Sequence, residues 1–157
     1  MKETVYVETS IIGYLASRPS RDLITAANQQ LTREWWDRHR RKYEIFISEV
    51  VTNECRAGDP SAAKERLEML ESLQSLHASP EAMRLASKLI KEVPLPQKAA
   101  VDASHIAIAA VNGLRYLLTW NCTHIANAVL MVRINEVCRN AGFEPPLICT
   151  PQQLMES

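Results

Sequence analysis

Val5-Tyr6-Val7-Glu8-Thr9-Ser10 is the stretch on which the fold turns. Its first three residues are β-prone and apolar on both faces, which suits a central parallel strand better than one with a wet side. The run stops at a carboxylate and two hydroxyls, and Thr9 and Ser10 offer the side-chain oxygens that cap a following helix. A buried strand, a polar stop and a helix together open a βαβ unit.

The same punctuation continues along the chain. From Asp22 to about Lys42, Ile24, Ala27, Leu31 and Trp35 recur at helical spacing, and the spacing predicts one long amphipathic helix. Its last turn, Arg38-His39-Arg40-Arg41-Lys42, has the sign that suits a helix C-terminus. Glu44-Ile45-Phe46-Ile47 is the second expected strand. Ser48 then caps a helix closed by Gly58, and Asp59-Pro60 and Ser79-Pro80 open two more. Pro94 and Pro96 stop the second of these. Ala99 to Asn112 is apolar almost all round, which places that helix in the interior, ended by Gly113. Tyr116 to Thr119 is a third strand, Ile125 to Ala141 a helix closed by Gly142, and Leu147-Ile148-Cys149 a last strand. Thr150-Pro151-Gln152-Gln153 is a capping box opening a short terminal helix. Strands separated by helices imply an α/β fold: a mainly parallel, twisted sheet with right-handed crossovers and helices on both faces. Ligands of such sheets sit beyond the carboxyl ends of the strands, where strand order reverses.

Composition sets the outer limits. The 157 residues are 46% hydrophobic and 23% charged, which excludes disorder and a coiled coil and predicts a single domain over residues 1–157. Lys+Arg and Asp+Glu are both 18, so no overall field gathers polyanions; contact with nucleic acid must come from a local basic patch or a bound metal. Cys55, Cys122, Cys138 and Cys149 show no CxxC spacing and lie among apolar residues, as buried free thiols of a reducing compartment do. No apolar run nears the ~20 residues of a membrane span, and Glu3 and Glu8 interrupt any signal-peptide core. A soluble, cytoplasmic protein is expected. With four Gly and neither GxGxxG nor GxxxxGK[ST], a phosphate-cradling loop is unsupported. Of Trp35 and Trp36, one is expected buried and the other partly exposed.

Several polar residues are not explained by burial. Glu8 follows the first strand and is either a solvated loop carboxylate or part of a site. Glu54 falls on the inward side of its helix, four residues after Val50, and needs a partner, whether Arg56, the long basic helix or an ion. Asp102 lies near the start of the most apolar helix, with His105 one turn on. An unpaired buried charge costs several kcal/mol, so Asp102 must be paired (with His105), protonated or bound to a metal. Asn121 ends the third strand and alone reads as an ordinary turn residue. Their convergence decides: Glu8, Glu54, Asp102 and Asn121 all fall at carboxyl ends of strands or in first turns of helices, which meet in one crevice. Three carboxylates there repel one another unless a hard cation lies among them, and oxygen ligation points to Mg²⁺ or Mn²⁺. His39, His77, His105 and His124 have no metal spacing, and Cys122 beside His124 is a packed thiol before it is a nucleophile. The Arg38–Lys42 run is a solvated helix end before it is an RNA contact.

In their order, VETSIIGYL, ISEVVTNECRAGD, DASHIAIAA, YLLTWNCTHIAN and ICTPQQL, spanning residues 5–154, resemble the PIN-domain fold, specifically VapC-like ribonuclease toxins of type II toxin–antitoxin systems. The resemblance implies a three-layer α/β/α sandwich whose acidic cluster binds Mg²⁺ or Mn²⁺ and hydrolyses RNA phosphodiesters. It puts Glu8, Glu54 and Asp102 at the metal and Asn121 where many members carry a further Asp. Thr9, Ser10 and Thr119 match hydroxyl residues that support the site. Glu8 is one methylene longer than the usual Asp, and Asn121 removes one charge, which leaves the number of metals open. The resemblance also implies an antitoxin partner and a homodimer. Two other readings stand beside the nuclease: a PIN-like protein that binds RNA or a partner without cleaving, and a carboxylate-metal phosphatase of small phosphomonoesters.

Overall fold

The computed structural model describes residues 1–155. Its sheet has five parallel strands in the order β3-β2-β1-β4-β5, with β1 at Glu3–Val7, β2 at Tyr43–Ser48, β3 at Gln74–Leu76, β4 at Tyr116–Leu118 and β5 at Leu147–Cys149. The first strand lies at the centre, in register Tyr6 to Phe46 on one side and Val7 to Leu118 on the other. Val5, Tyr6 and Val7 are wholly buried, so both faces of the sheet are covered. Helices α1 (Thr9–Ala16), α2 (Leu23–Glu34), α3 (Glu49–Arg56), α4 (Pro60–Leu70), α5 (Pro80–Glu92), α6 (Ala100–Val111) and α7 (Ala128–Asn140) complete the α/β architecture. Helix α6 has seven buried residues from Ala103 to Ala110, as its continuous apolar sequence requires.

Four expectations change in detail. Helix α1 is capped by Glu8, whose carboxylate accepts from Ser10 N, rather than by the hydroxyls after it. A carboxylate at a helix N-terminus also meets the positive end of the dipole. The long helix over 22–42 ends at Glu34 and continues as a π turn (Trp35–His39) and a 3₁₀ turn (Arg40–Lys42). The wider turn lets Trp35 enter the core and stack on Tyr43 at 5.9 Å, while Arg40 lies 4.3 Å over the half-buried Trp36. Strand β3 has no counterpart in the sequence reading. It is three residues at the sheet edge, largely exposed, and joins β2 through its backbone, so its side chains carry no strand signal. The last long helix starts at Ala128, capped by Asn127, because Asn121 folds residues 121–126 into a turn.

The C-terminal capping box forms as expected and opens a 3₁₀ turn over Pro151–Leu154. All four cysteines are free. Cys55 and Cys138 are buried and Cys149 is half-buried, but Cys122 is exposed, because it lies in the turn after β4 and not on a packed element. Among the described residues no helix is long and apolar enough to cross a membrane.

Candidate metal centre

Strand order reverses between β1 and β4, and the carboxyl ends of those two strands border the crevice where α/β sheets bind ligands. Glu8 leaves β1 there. Its N–H donates to Leu118 O at 3.0 Å, prolonging the β1–β4 ladder by one residue. Its side chain is 4% exposed and turns back on its own helix. Oε1 accepts from Ser10 Oγ at 2.6 Å and from Thr119 Oγ1 at 2.5 Å, and Oε2 from Ser10 N at 3.1 Å. A buried carboxylate is tolerable on such terms, because each bond is to its charged form. Ser10 Oγ in turn accepts from Trp120 N at 2.9 Å, which ties α1 to the end of β4.

Glu54 reaches the same place from α3. One oxygen, Oε1, accepts from Thr9 Oγ1 at 2.5 Å and from His105 Nε2 at 2.6 Å. Burial pushes this carboxyl up. The hydrogen bond and charge of His105, with the bond from Thr9, outweigh burial and leave it below the ordinary carboxylate value. His105 is wholly buried on α6, with Nδ1 on the Tyr6 hydroxyl at 2.6 Å, and that hydroxyl meets Ser48 Oγ at 2.7 Å. Burial holds the Tyr6 proton in place far above the ordinary phenol range. Ligand atoms of Glu8, Glu54 and His105 all lie within 4.8 Å of one another.

Asp102 is placed differently. Its Oδ2 is 2.9 Å from His124 Nδ1, so it pairs with His124 and not with His105, and it lies outside the compact set of three. His105 faces Glu54 and Tyr6 because those groups line the end of the central strand, whereas Asp102, one turn earlier, meets the turn after β4. Asn121 belongs to that turn. Its Oδ1 accepts from His124 N at 3.0 Å, and its N–H donates to Thr119 Oγ1 at 2.9 Å. Thr119 thus joins Asn121 to Glu8, and His124 joins Asn121 to Asp102. The expected residues Glu8, Asp102, Asn121, Ser10 and Thr119 form one hydrogen-bonded network. Glu54, Thr9 and His105 form a second against it, close enough for Glu8 and Glu54 to share one ion.

Sequence reasoning missed Tyr6, Ser48 and His124 as members of the site. His124 had no local signal of its own, since the bond that places it, from its backbone N–H to Asn121 Oδ1, could come from any non-proline residue there. Tyr6 had none, because a tyrosine between two valines reads as core. The donor set suits a hard cation. Among the described residues Glu54 Oε2 and Asp102 Oδ1 have no hydrogen-bond partner, and Glu8 Oε2 has one, so all three carboxylates retain open lone pairs.

No protein-family model matches the chain, and no curated protein matches it in sequence. In three dimensions it is similar to a chain of the VapBC2 structure from Rickettsia felis bound to a DNA fragment of its promoter (15% identity, 94% of this chain and 98% of that one, TM-score 0.54). It is also similar to Mycobacterium tuberculosis VapC20, a Sarcin-Ricin loop cleaving toxin (16% identity, 91% and 100%, TM-score 0.61). The chain shares the α/β fold of these two VapC structures.

Proposed function

We propose that this chain is a metal-dependent endoribonuclease that hydrolyses RNA phosphodiester bonds, the toxin of a toxin–antitoxin pair. Glu8, Glu54 and Asp102 hold Mg²⁺ or Mn²⁺, directly or through waters, with Asp102 outside the compact set of three. The observation that carries the reading is the approach of Glu8 and Glu54, 46 positions apart in the chain, at the β1–β4 switch point with open carboxylate lone pairs. A divalent ion bound there would supply a water of lowered pKa and a countercharge for the phosphoryl oxygens. The chain does the rest. Asp102, fixed through Oδ2 by His124, presents Oδ1 to take the proton of the attacking water. Asn121 uses its oxygen in the turn and orients a ligand water through Nδ2. Thr9, Ser10, Thr119 and His105 hold the carboxylates against mutual repulsion.

The fold neighbours support the partners in this reading: VapC20 is a Sarcin-Ricin loop cleaving toxin, and VapBC2 is bound to a DNA fragment from its promoter. An antitoxin covering the crevice, a homodimer, a single domain over 1–157 and a cytoplasmic location belong to the same proposal. The test is RNA cleavage with Mn²⁺ by the wild-type chain and by Asp102→Asn. Loss of cleavage in a folded variant is expected, and full activity counts against the site.

A second reading has an observation of its own. Both Glu8 oxygens are hydrogen-bonded and the Asn121 oxygen caps a turn, so the network closes without a cation. A PIN-like protein that binds RNA or a partner without cleaving predicts no heat of Mn²⁺ binding and intact RNA.

A further inference from the structure

We infer that the buried line Ser48–Tyr6–His105 is a positioning device that fixes the metal-facing carboxylate of Glu54, and that His105 is not itself a ligand. The inference rests on the divalent-cation reading of the site.

The protons decide which groups are free to bind an ion. An ionised carboxylate only accepts, so both groups at Glu54 Oε1, the Thr9 hydroxyl at 2.5 Å and His105 Nε2 at 2.6 Å, donate to it. A ring nitrogen whose N–H points at a carboxylate has no lone pair for a cation. Coordination by His105 would break that bond and leave nothing in its place. The other side of the ring is held as firmly. Val50 N–H donates to Ser48 Oγ at 3.2 Å, Ser48 meets Tyr6 Oη at 2.7 Å, and Tyr6 meets His105 Nδ1 at 2.6 Å. From Val50 the line is continuous, Ser48 to Tyr6 to His105 Nδ1, and at its end Nε2–H donates to Glu54. Ser48, Tyr6 and His105 are each 0% exposed, so water offers none of them another partner.

The consequence falls on Glu54. With two donors on Oε1 its carboxylate cannot rotate freely, and Oε2, without a partner among the described residues, is the oxygen left for the ion. The line draws on β1, the end of β2 and α6 to orient a residue of α3. The sheet and two helices thereby set the aim of one ligand, as outer partners of ligating groups commonly do.

Tyr6→Phe tests this, because it keeps the ring and removes only the hydroxyl. Mn²⁺ is titrated calorimetrically into the full chain, and melting is followed with and without saturating Mn²⁺. The variant should bind Mn²⁺ ~10–100-fold more weakly, and the metal-induced rise in Tm should shrink at equal Mn²⁺. A merely structural tyrosine would lower both melting temperatures together and leave the dissociation constant alone. Ser48→Ala, at the far end of the line, should weaken binding in the same direction and serves where Tyr6→Phe does not fold. Pulsed electron paramagnetic resonance of Mn²⁺ on the wild-type chain should show no directly coordinated nitrogen. Wild-type affinity in both variants, or a coordinated nitrogen, overturns the positioning role and leaves the metal reading standing. A wild-type chain that binds no Mn²⁺ overturns both.

Discussion

Glu8 and Glu54 carry the same charge but are held in opposite ways. Glu8 is enclosed, with both oxygens bonded to Ser10 and Thr119. Glu54 is anchored through one oxygen and half-exposed at the other. The hold on Glu54 has a pH signature. Its carboxyl lies below the ordinary 4.5 in the folded chain, so the ionised form stabilises the fold. That contribution is fully present above pH 4.5 and is lost as pH falls through the lower folded value. In metal-free buffer, the melting-temperature advantage of wild type over Glu54→Gln should therefore hold steady near neutrality and shrink in acid below about pH 4.5. An advantage unchanged down to the acid limit would mean that the His105 and Thr9 bonds do not favour the ionised form. The thiols differ by environment as well. Burial pushes Cys55 and Cys138 up to about 11 and Cys149 to about 12, whereas Cys122 is exposed. A disulfide reagent on the native chain should modify Cys122 rapidly and the other three only on unfolding, as mapped by peptide mass.

At the level of elements, two glycines in helical settings do opposite jobs. Gly13 sits inside α1 with ordinary backbone, and a methyl added there meets nothing within 4 Å. Gly13→Ala should stabilise the chain by about 0.4–1 kcal/mol through the unfolded state. Gly142 follows α7 at φ +92°, also with open space around it, so any cost there is backbone alone. Gly142→Ala should destabilise by about 1 kcal/mol. Urea unfolding of both variants checks the pair, and equal signs would refute the assignment. The same scale shows why the helix after Asp22 was legible as a helix but not as a broken one. Ile24, Ala27, Leu31 and Trp35 keep the period, while the π turn is imposed by the need to bury Trp35 against Tyr43, 8 residues on. That partner is not visible in a local window.

For the molecule as a whole, the sheet order decides where chemistry can happen. The chain is formally neutral, so under the proposed function a divalent ion, and not a surface field, would supply the charge that an RNA phosphate meets. A ligand that binds only the folded state stabilises it, by about 2.7 kcal/mol at a hundred times its dissociation constant. For a chain of this length that is a rise in Tm of roughly 5–10 °C. Saturating Mn²⁺ should produce it, and chelation should reverse it. A melting curve indifferent to Mn²⁺ and Mg²⁺ would remove the cation from the centre.

The strand core of Val5-Tyr6-Val7, the caps at Ser48, Ser79 and Thr150, and the inward carboxylate of Glu54 were decided by the sequence, because burial, capping and charge are written within a few residues. So was the approach of Glu8 and Glu54, although Asp102 falls outside their set. Strand β3 was not legible, since an edge strand is recruited through backbone groups that every residue shares. Nor was the exchange of partners at the centre, with His105 given to Glu54 and His124 to Asp102. That choice depends on which side chains three separate elements bring within 3 Å, a distance no spacing along the chain encodes.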